Sequence, residues 1–298
     1  MQTFTFLKKR FDEAGIRPVT RFGQNFLIDL NILRLLASSG KVCDTDVVLE
    51  IGGGTGSLTG LMAEAAAAVV SVEIDKQLHQ LAREELSKHD NVTILLQDAL
   101  RNKNNLADEV LATVAEKLAE GENRQFKLVA NLPYNVATPI ISNLLCEELT
   151  PVSMTVTIQK ELGDRIVAKP RTKDYSSLSI WVQSQCEVEI VRILPPTVFW
   201  PKPKVHSAIL HIVPKPELRA RIPDLPFFHT FVRSMFFHRR KFLRSVIASA
   251  YKGQLEKTDA DAVLEDMKLG RETRAEELDI ETMIALCQRV KQALNAGS

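Results

Sequence analysis

Val48-Leu49-Glu50-Ile51-Gly52-Gly53-Gly54-Thr55-Gly56 decides how this chain folds: an apolar, β-prone run enters a glycine loop, and a helical pattern opens at Ser57. Glycines let the backbone approach a ligand closely and take φ > 0. The spacing separates ligand classes. A dinucleotide fingerprint requires G-x-G-x-x-G, but the third glycine position is Ser57 counted from Gly52 and Thr59 counted from Gly54. No G-K-[ST] sequence follows, so the loop is not a triphosphate cradle. Glu73 ends the next strand, about one βαβ unit on, where a ribose diol is held. Asp98 follows the third strand, and its carboxylate can only accept, as an adenine amino group requires. Alone, each feature reads as a tight turn or a solvated strand end. Placed together on three successive strand ends, they fit S-adenosylmethionine, whose amino-acid tail needs no pyrophosphate site.

Working outward, strands and helices alternate. Strands are expected at Val47–Ile51, Val69–Glu73, Val92–Leu96 and Leu128–Ala130, and helices at Ser57–Ala67, Lys76–His89, Leu106–Glu120 and Pro139–Glu147. Upstream, Asp29 can cap a helix over Ile32–Ser38 that Gly40 ends. Such βαβα alternation indicates a parallel, doubly wound α/β sheet. Beyond Pro151 come Met154–Gln159, a helical Lys160–Val167, a strand-and-helix stretch near Ser176–Gln185, and strands at Val188–Ile193 and Ala208–Val213. The prolines at 195, 196, 201 and 203 exclude a helix between the last two, which are expected to close one sheet edge. After Pro214-Lys215-Pro216 the pattern is helical only, and Phe228, Phe231, Val232, Met235, Phe236, Phe242, Leu243, Val246 and Ile247 recur at helical spacing as a core stripe. The organisation is therefore an N-terminal extension (1–20), an α/β domain (21–214) and a small all-α domain (215–298).

Asn131-Leu132-Pro133-Tyr134 sits where the fourth strand leaves the sheet. Proline removes a backbone donor, so neighbouring carbonyls can face a pocket rather than a ladder. The Asn131 amide oxygen can accept from an exocyclic amino group, and the Tyr134 ring offers a plate for a base. With a methyl donor nearby, this pattern reads as amino-group methylation.

Composition narrows the setting. Lys+Arg number 38 and Asp+Glu 37, so any nucleic-acid footprint must be local. Cys43, Cys146, Cys186 and Cys287 form no C-x-x-C pair, which argues against zinc or a disulfide framework and for reduced thiols and a cytoplasmic setting. No apolar run reaches membrane-spanning length. Residues Met1–Arg21 carry five Lys/Arg but lack the apolar core of a secretory signal.

At this point the chain resembles the ribosomal RNA adenine-N6,N6-dimethyltransferases, the kasugamycin-sensitivity family. Arg21-Phe22-Gly23-Gln24-Asn25-Phe26-Leu27 looks like the family's N-terminal cofactor motif, Leu49–Gly56 its glycine loop, Val72–Asp75 its ribose acid, Asp98-Ala99-Leu100 its adenine acid and Asn131–Tyr134 its target-base motif. Gln159-Lys160-Glu161 with Arg165, Tyr175 with Leu178-Ser179, Pro195–Ser207 and Phe236–Leu243 follow in the same order. The resemblance implies a Rossmann-like S-adenosylmethionine methyltransferase sheet with helices on both faces. It also implies cofactor contacts from Asn25, Leu27, Gly52, Gly54, Glu73, Asp98 and Asn131, S-adenosyl-L-homocysteine as product, and no metal. Asn131 and the Leu132 carbonyl would accept the target amino hydrogens beside Pro133. Tyr134 and Phe199 would stack on opposite faces of the base. Three departures stand out: Gly53 where proline is common, read as a harmless loosening of the turn; a long Arg101–Gln125 stretch, read as an added surface helix; and His206 in place of an acid.

The implied substrate is two adjacent adenosines in a hairpin near the 3′ end of small-subunit rRNA, within an immature subunit, methylated by a monomeric enzyme. Arg233, Arg240, Lys241 and Arg244 are expected along one side of a C-terminal helix, with Lys202 and Lys204 beside the target pocket, as phosphate contacts. The alternatives are the antibiotic-resistance branch acting on large-subunit rRNA, and an assembly or transcription factor that kept the fold. The missing third glycine disfavours an NAD dehydrogenase.

Overall fold

The computed structural model describes residues 4–19 and 23–296, so Arg21 and Phe22 of the first motif lie outside the described residues. Contacts divide the chain into two units, residues up to 163 with 188–214, and residues 164–187 with those from 215 onward.

The first unit begins with α1 (Phe4–Glu13), β1 (Phe26–Leu27) and α2 (Leu30–Ser39). Asp29 caps α2 as its side chain accepts from the Asn31 and Ile32 amides, and Gly40 ends it. Then β2 (Asp46–Ile51), α3 (Ser57–Ala63), β3 (Ala68–Glu73), α4 (Lys76–Glu85) and β4 (Val92–Leu96) alternate as the apolar pattern requires. A small hairpin, β5 (Leu100–Asn102) and β6 (Asn105–Leu106), precedes α5 (Asp108–Ala119), β7 (Gln125–Asn131) and α6 (Ala137–Leu144). Next come β8 (Ser153–Gln159), α7 (Lys160–Ile166), α8 (Ser177–Gln183), β9 (Cys186–Leu194), β10 (Phe199–Trp200) and β11 (Ser207–Pro214).

Seven strands form one sheet in the order β4-β3-β2-β7-β8-β11-β9. The first five run parallel, and β11 is antiparallel to β8. Buried along almost their whole length, β2, β3 and β8 are mainly apolar or β-branched, as interior parallel strands are, with Asp46, Glu50, Ser71 and Glu73 as buried polar exceptions in β2 and β3. Leu33, Leu36, Leu58 and Met62 of α2 and α3 cover Val48, Val69, Val129 and Ile209 on one face. On a strand alternate residues face the other side; there α5 lies against β2, β3 and β7 with Val110 and Val114 fully buried. The Arg101–Gln125 stretch is therefore not a surface addition: α5 covers the sheet, and the hairpin before it buries Leu106.

The chain runs outward through β2, β3 and β4, then returns to lay β7 on the other side of β2. Strand order thus reverses between β2 and β7, and a crevice opens at the carboxyl ends of strands at such a point.

In the second unit α8 packs on α10 (Leu225–Phe237), which follows the short α9 (Pro216–Arg219). The helices α11 (Leu243–Ala250), α12 (Lys257–Asp266) and α13 (Ile280–Ala296) complete it. Phe228, Phe231, Val232, Met235, Leu243, Val246 and Ile247 are buried, as the stripe predicted, whereas Phe236 is half-buried and Phe242 is 36 % exposed, and the stripe does not lie on one helix. The helix stops at Phe237, His238 leaves helical geometry at φ −122° and ψ 63°, and a new helix opens after Phe242. No strand forms near Ser176–Gln185; Trp181 of α8 lies 6.4 Å from Phe228 and 4.4 Å from His229, ring to ring. That contact is why 164–187 groups with the later helices.

Candidate active site

The crevice at the β2/β7 reversal is a cleft of about 390 Å³, within the usual range for small-molecule sites. Three strand ends supply its acids and its loop: Gly52 and Gly54 after β2, Glu73 ending β3, and Asp98 after β4. Asn131 to Val136 after β7 form one wall and Gly23 to Phe26 another.

Gly52 and Gly54 need to be glycine. Gly52 has φ +81°, and a Cβ there would meet the Pro133 ring at 3.1 Å. Gly54 has φ +58° and carries the Phe26 ring 3.3 Å from where a Cβ would sit. The loop is pinned to the neighbouring strand end, as the Glu73 carboxylate accepts from the Gly54 amide (2.8 Å) and from the Asp75 amide (2.9 Å). Glu73 is only 4 % exposed, and burial pushes its pKa above the usual carboxylate range against those two hydrogen bonds. Each oxygen keeps a further lone pair for a hydroxyl donor. Asp98 is exposed at the cleft and accepts from the Leu100 amide, 2.9 Å, with one oxygen. Ile74, 42 % exposed between Glu73 and Asp75, gives the cleft an apolar wall suited to a flat ring.

Gly53 is not a loosened position. A Cβ there would lie 2.1 Å from the Ser71 hydroxyl, and its amide donates to the Val72 carbonyl (3.3 Å), which proline could not do. Ser71 donates to Glu50 (2.9 Å), as does Thr59, so Gly53 makes room for a buried network. Gly53→Ala should cost about 1–3 kcal/mol of stability, and Ser71→Ala should relieve most of the added cost. Urea unfolding of both single variants and the double variant measures this coupling; full additivity would contradict it.

Glu50 itself is 1 % exposed, and burial pushes its pKa from 4.5 to about 7, with the Thr59 and Ser71 hydrogen bonds opposing and the Glu73 carboxylate adding. A raised carboxyl binds its proton more tightly folded than unfolded. Its contribution is complete below pH 4.5 and is lost as pH rises through about 7. Glu50→Gln should therefore flatten the fall in unfolding free energy between about pH 5 and about pH 8. An unchanged slope in urea titrations at those pH values would contradict the assignment.

At the β7 end the Asn131 amide nitrogen donates to the Asn25 carbonyl, 2.9 Å. That bond fixes the amide and leaves its oxygen with no protein partner among the described residues. The Leu132 amide donates to the Thr157 carbonyl (3.1 Å), while the Leu132 carbonyl is likewise unused among the described residues. The Tyr134 phenol is held to the Ser207 hydroxyl at 2.7 Å, which clamps a half-buried ring against the end of β11. Asn25 folds its own side chain back on the Gly23 carbonyl, 3.1 Å.

Two expected site residues are placed elsewhere. Phe199 is 2 % exposed and packs in the core under α2 and α3, because β10 pairs with β1 in the register Leu27↔Phe199. Its ring is not a second plate at this cleft. The Leu27 side chain joins the same core and does not line the cleft. Residues that the sequence pointed to only weakly are Phe26, Ile74 and Gln97, which line the cleft, and Gln24, which bonds Asp75 at 3.3 Å. They sit inside or next to the quoted motifs, which was their only signal.

Among the basic residues, Lys202, Lys204, Arg233, Arg240 and Lys241 are exposed. Arg244 is not free: α11 packs on α12, and its guanidinium forms a two-pronged pair with Asp261 at 2.8 and 2.6 Å. His206 is exposed, and its carbonyl accepts from the Lys160 amide at 2.9 Å.

Comparison with known proteins adds a consistent picture. A family profile described as ribosomal RNA adenine dimethylase matches residues 17–286. The chain is 39 % identical over 272 residues to ribosomal RNA small subunit methyltransferase A of Clostridium acetobutylicum, covering 91 % of this chain and 92 % of that one. It is 40 % identical over 280 residues to the protein of the same name from Geobacillus kaustophilus, covering 94 % and 93 %. Among solved structures, a dimethyladenosine transferase from Plasmodium falciparum superposes with TM-score 0.72 at 23 % identity, covering 89 % of this chain and 97 % of that one. The 23S rRNA methyltransferase ErmE superposes with TM-score 0.61 at 25 % identity, covering 90 % and 100 %.

Proposed function

Because the chain belongs to the ribosomal RNA adenine dimethylase family, as its match over residues 17–286 establishes, we propose that the strand-end cleft methylates N6 of two adjacent adenosines near the 3′ end of small-subunit rRNA, within an immature subunit. The chain is an rRNA adenine dimethyltransferase, and the cleft is where its cofactor and target base meet. The observation that supports this most is the pair of unused acceptors, the Asn131 oxygen and the Leu132 carbonyl, beside a glycine loop held by Glu73.

The residues present fit S-adenosylmethionine. Glu73 would accept the ribose hydroxyls with its remaining lone pairs, Asp98 would accept from the adenine amino group, and Ile74 would offer the adenine ring an apolar wall. Gly52 and Gly54 let the backbone approach the amino-acid tail, beside Asn25. When bound, the cofactor supplies an electrophilic methyl group on a sulfonium. The protein's own work is done on the target. An adenine amino nitrogen is a poor nucleophile because its lone pair is delocalised into the ring. By accepting both hydrogens, Asn131 and Leu132 favour a pyramidal nitrogen and stabilise the positive charge that develops on it, a preorganised electrostatic effect. Tyr134, clamped by Ser207, stacks on the base and offsets part of the cost of removing it from its own stack, about 1–3 kcal/mol per base. Proton loss from the methylated ammonium goes to water. Lys202 and Lys204 serve as phosphate contacts near the start of β11.

Large-subunit rRNA is the weaker reading, since identity to ErmE is 25 % against 39 and 40 % to the small-subunit methyltransferases. Offering unmethylated small and large subunits separately with labelled S-adenosylmethionine tests the choice. Label in small-subunit rRNA alone is expected; label in large-subunit rRNA alone would overturn the assignment.

A further inference from the structure

We propose that the turn between α10 and α11 is a stacking platform for an unpaired RNA base, with Phe237 as the plate and Arg233, Arg240 and Lys241 as its phosphate contacts. The inference rests on the rRNA reading above and adds a base contact in the second unit, from residues that do not line the catalytic cleft. Phe237 is 80 % exposed, whereas other exposed large apolar side chains such as Ile74 and Val205 reach 42 and 45 %. One exposed apolar residue is ordinary. What makes this one a site is that its backbone is held and its neighbours are charged.

The turn is anchored from below. Arg239 pairs with Glu276 and donates to the carbonyls of Lys173 and Thr172, the last at 2.9 Å. The Lys241 amide donates to the His238 carbonyl at 2.8 Å, and the Leu243 amide to the Thr273 carbonyl at 2.9 Å. Arg274 lies 5.4 Å from the centre of the Phe242 ring, so the far side of the turn is tied down as well. The His238 ring packs against Phe237 in a T-shaped pair, with centroids 4.9 Å apart and planes at 78°, while Phe237 stays 80 % exposed.

Charge selects the partner. Arg233 lies one helical turn before Phe237, on the same helix face, and Arg240 and Lys241 follow it. All three are exposed, and among the described residues none is in an ion pair, whereas Arg239 and Arg244 beside them are both paired. Burying Phe237 in a dry protein pocket would also desolvate these cations. A nucleic acid instead offers them phosphates while a base covers the ring, the combination that single-stranded RNA sites use.

The test uses the full chain and immature small subunits, with binding measured for wild type, Phe237→Leu, Phe237→Trp and Arg240→Ala. Phe237→Leu keeps an apolar side chain but loses the π face, and it should bind about 10-fold more weakly with an unchanged salt slope. Phe237→Trp should retain wild-type affinity, and Arg240→Ala should lower the salt slope by about one. Ultraviolet crosslinking should join Phe237 to an rRNA base. Unfolding midpoints separate these effects from misfolding, which an exposed side chain gives no reason to expect. Wild-type affinity in Phe237→Leu, or a crosslink from Phe237 to a ribosomal protein, would overturn the platform alone. Failure of the wild-type chain to bind small subunits at all would overturn the rRNA reading with it.

Discussion

Replacing Asn131 with alanine should lower methyl transfer by about 10²–10³-fold, the usual loss when one preorganised electrostatic partner is removed from a developing charge. The amide is oriented by its donation to the Asn25 carbonyl, so its oxygen is already in place before a base arrives. Alanine removes that acceptor and also leaves the Asn25 carbonyl without its donor. Cofactor affinity should fall far less, because Glu73, Asp98 and the glycine loop remain. Asn131→Asp separates the two roles: it keeps an acceptor but places a carboxylate oxygen against the Asn25 carbonyl, and should be nearly as inactive as alanine. Single-turnover methylation of immature subunits, with calorimetric cofactor binding alongside, measures the split. Equal losses in both readouts would mean that Asn131 supports the fold of the cleft rather than the reaction.

Glu73→Ala should weaken S-adenosylmethionine binding by about 100-fold, since hydrogen bonds to a charged group contribute roughly 1.5–3 kcal/mol each. The variant removes the proposed acceptor for the ribose hydroxyls and frees the Gly54 and Asp75 amides that Glu73 now holds at 2.8 and 2.9 Å. Glu73→Gln keeps one acceptor but directs an amino group at one of those amides, and should fall between alanine and wild type. Because burial raises the Glu73 pKa, losing the carboxyl also removes a group that is costly to ionise in place. The unfolding midpoint of Glu73→Ala should therefore drop less than its cofactor affinity suggests. Binding within about twofold of wild type in calorimetry would remove Glu73 from the cofactor site.

Much of the first unit was legible because its signals are local. The apolar run into Gly52–Gly56, the Asp29 cap and the alternation through β7 each lie within a few residues, and they place the cleft on three strand ends. What the sequence hid depends on contacts between distant segments. Phe199 sits in a motif of plausible chemistry, but which way its ring points is settled by two-residue strands pairing across Leu27↔Phe199. Arg244 looked like a free basic residue until α12 brought Asp261 beside it. The α10–α11 break falls where no glycine or proline stands. Its one signal was that His238 and Arg239 occupy the stripe position between Met235 and Phe242. Gly53 read as a neutral change because Ser71, which excludes any Cβ there, belongs to another strand. Glu50 was quoted within the glycine motif without a role, although an acid between Leu49 and Ile51 in a buried strand must find partners. The second unit's recruitment of 164–187 follows from Trp181, whose apolar ring gave no hint of which helices it would join.

The amine-accepting cleft after β7 is proposed to dimethylate adenosine in small-subunit rRNA. Mass spectrometry of rRNA nucleosides tests it most directly, in a host lacking its own enzyme and carrying either this chain or its Asn131→Ala variant. The expected result is N6,N6-dimethyladenosine in small-subunit rRNA with the wild-type chain and its near absence with the variant at equal protein level. Equal dimethyladenosine with both chains, or none with the wild-type chain, would contradict the account.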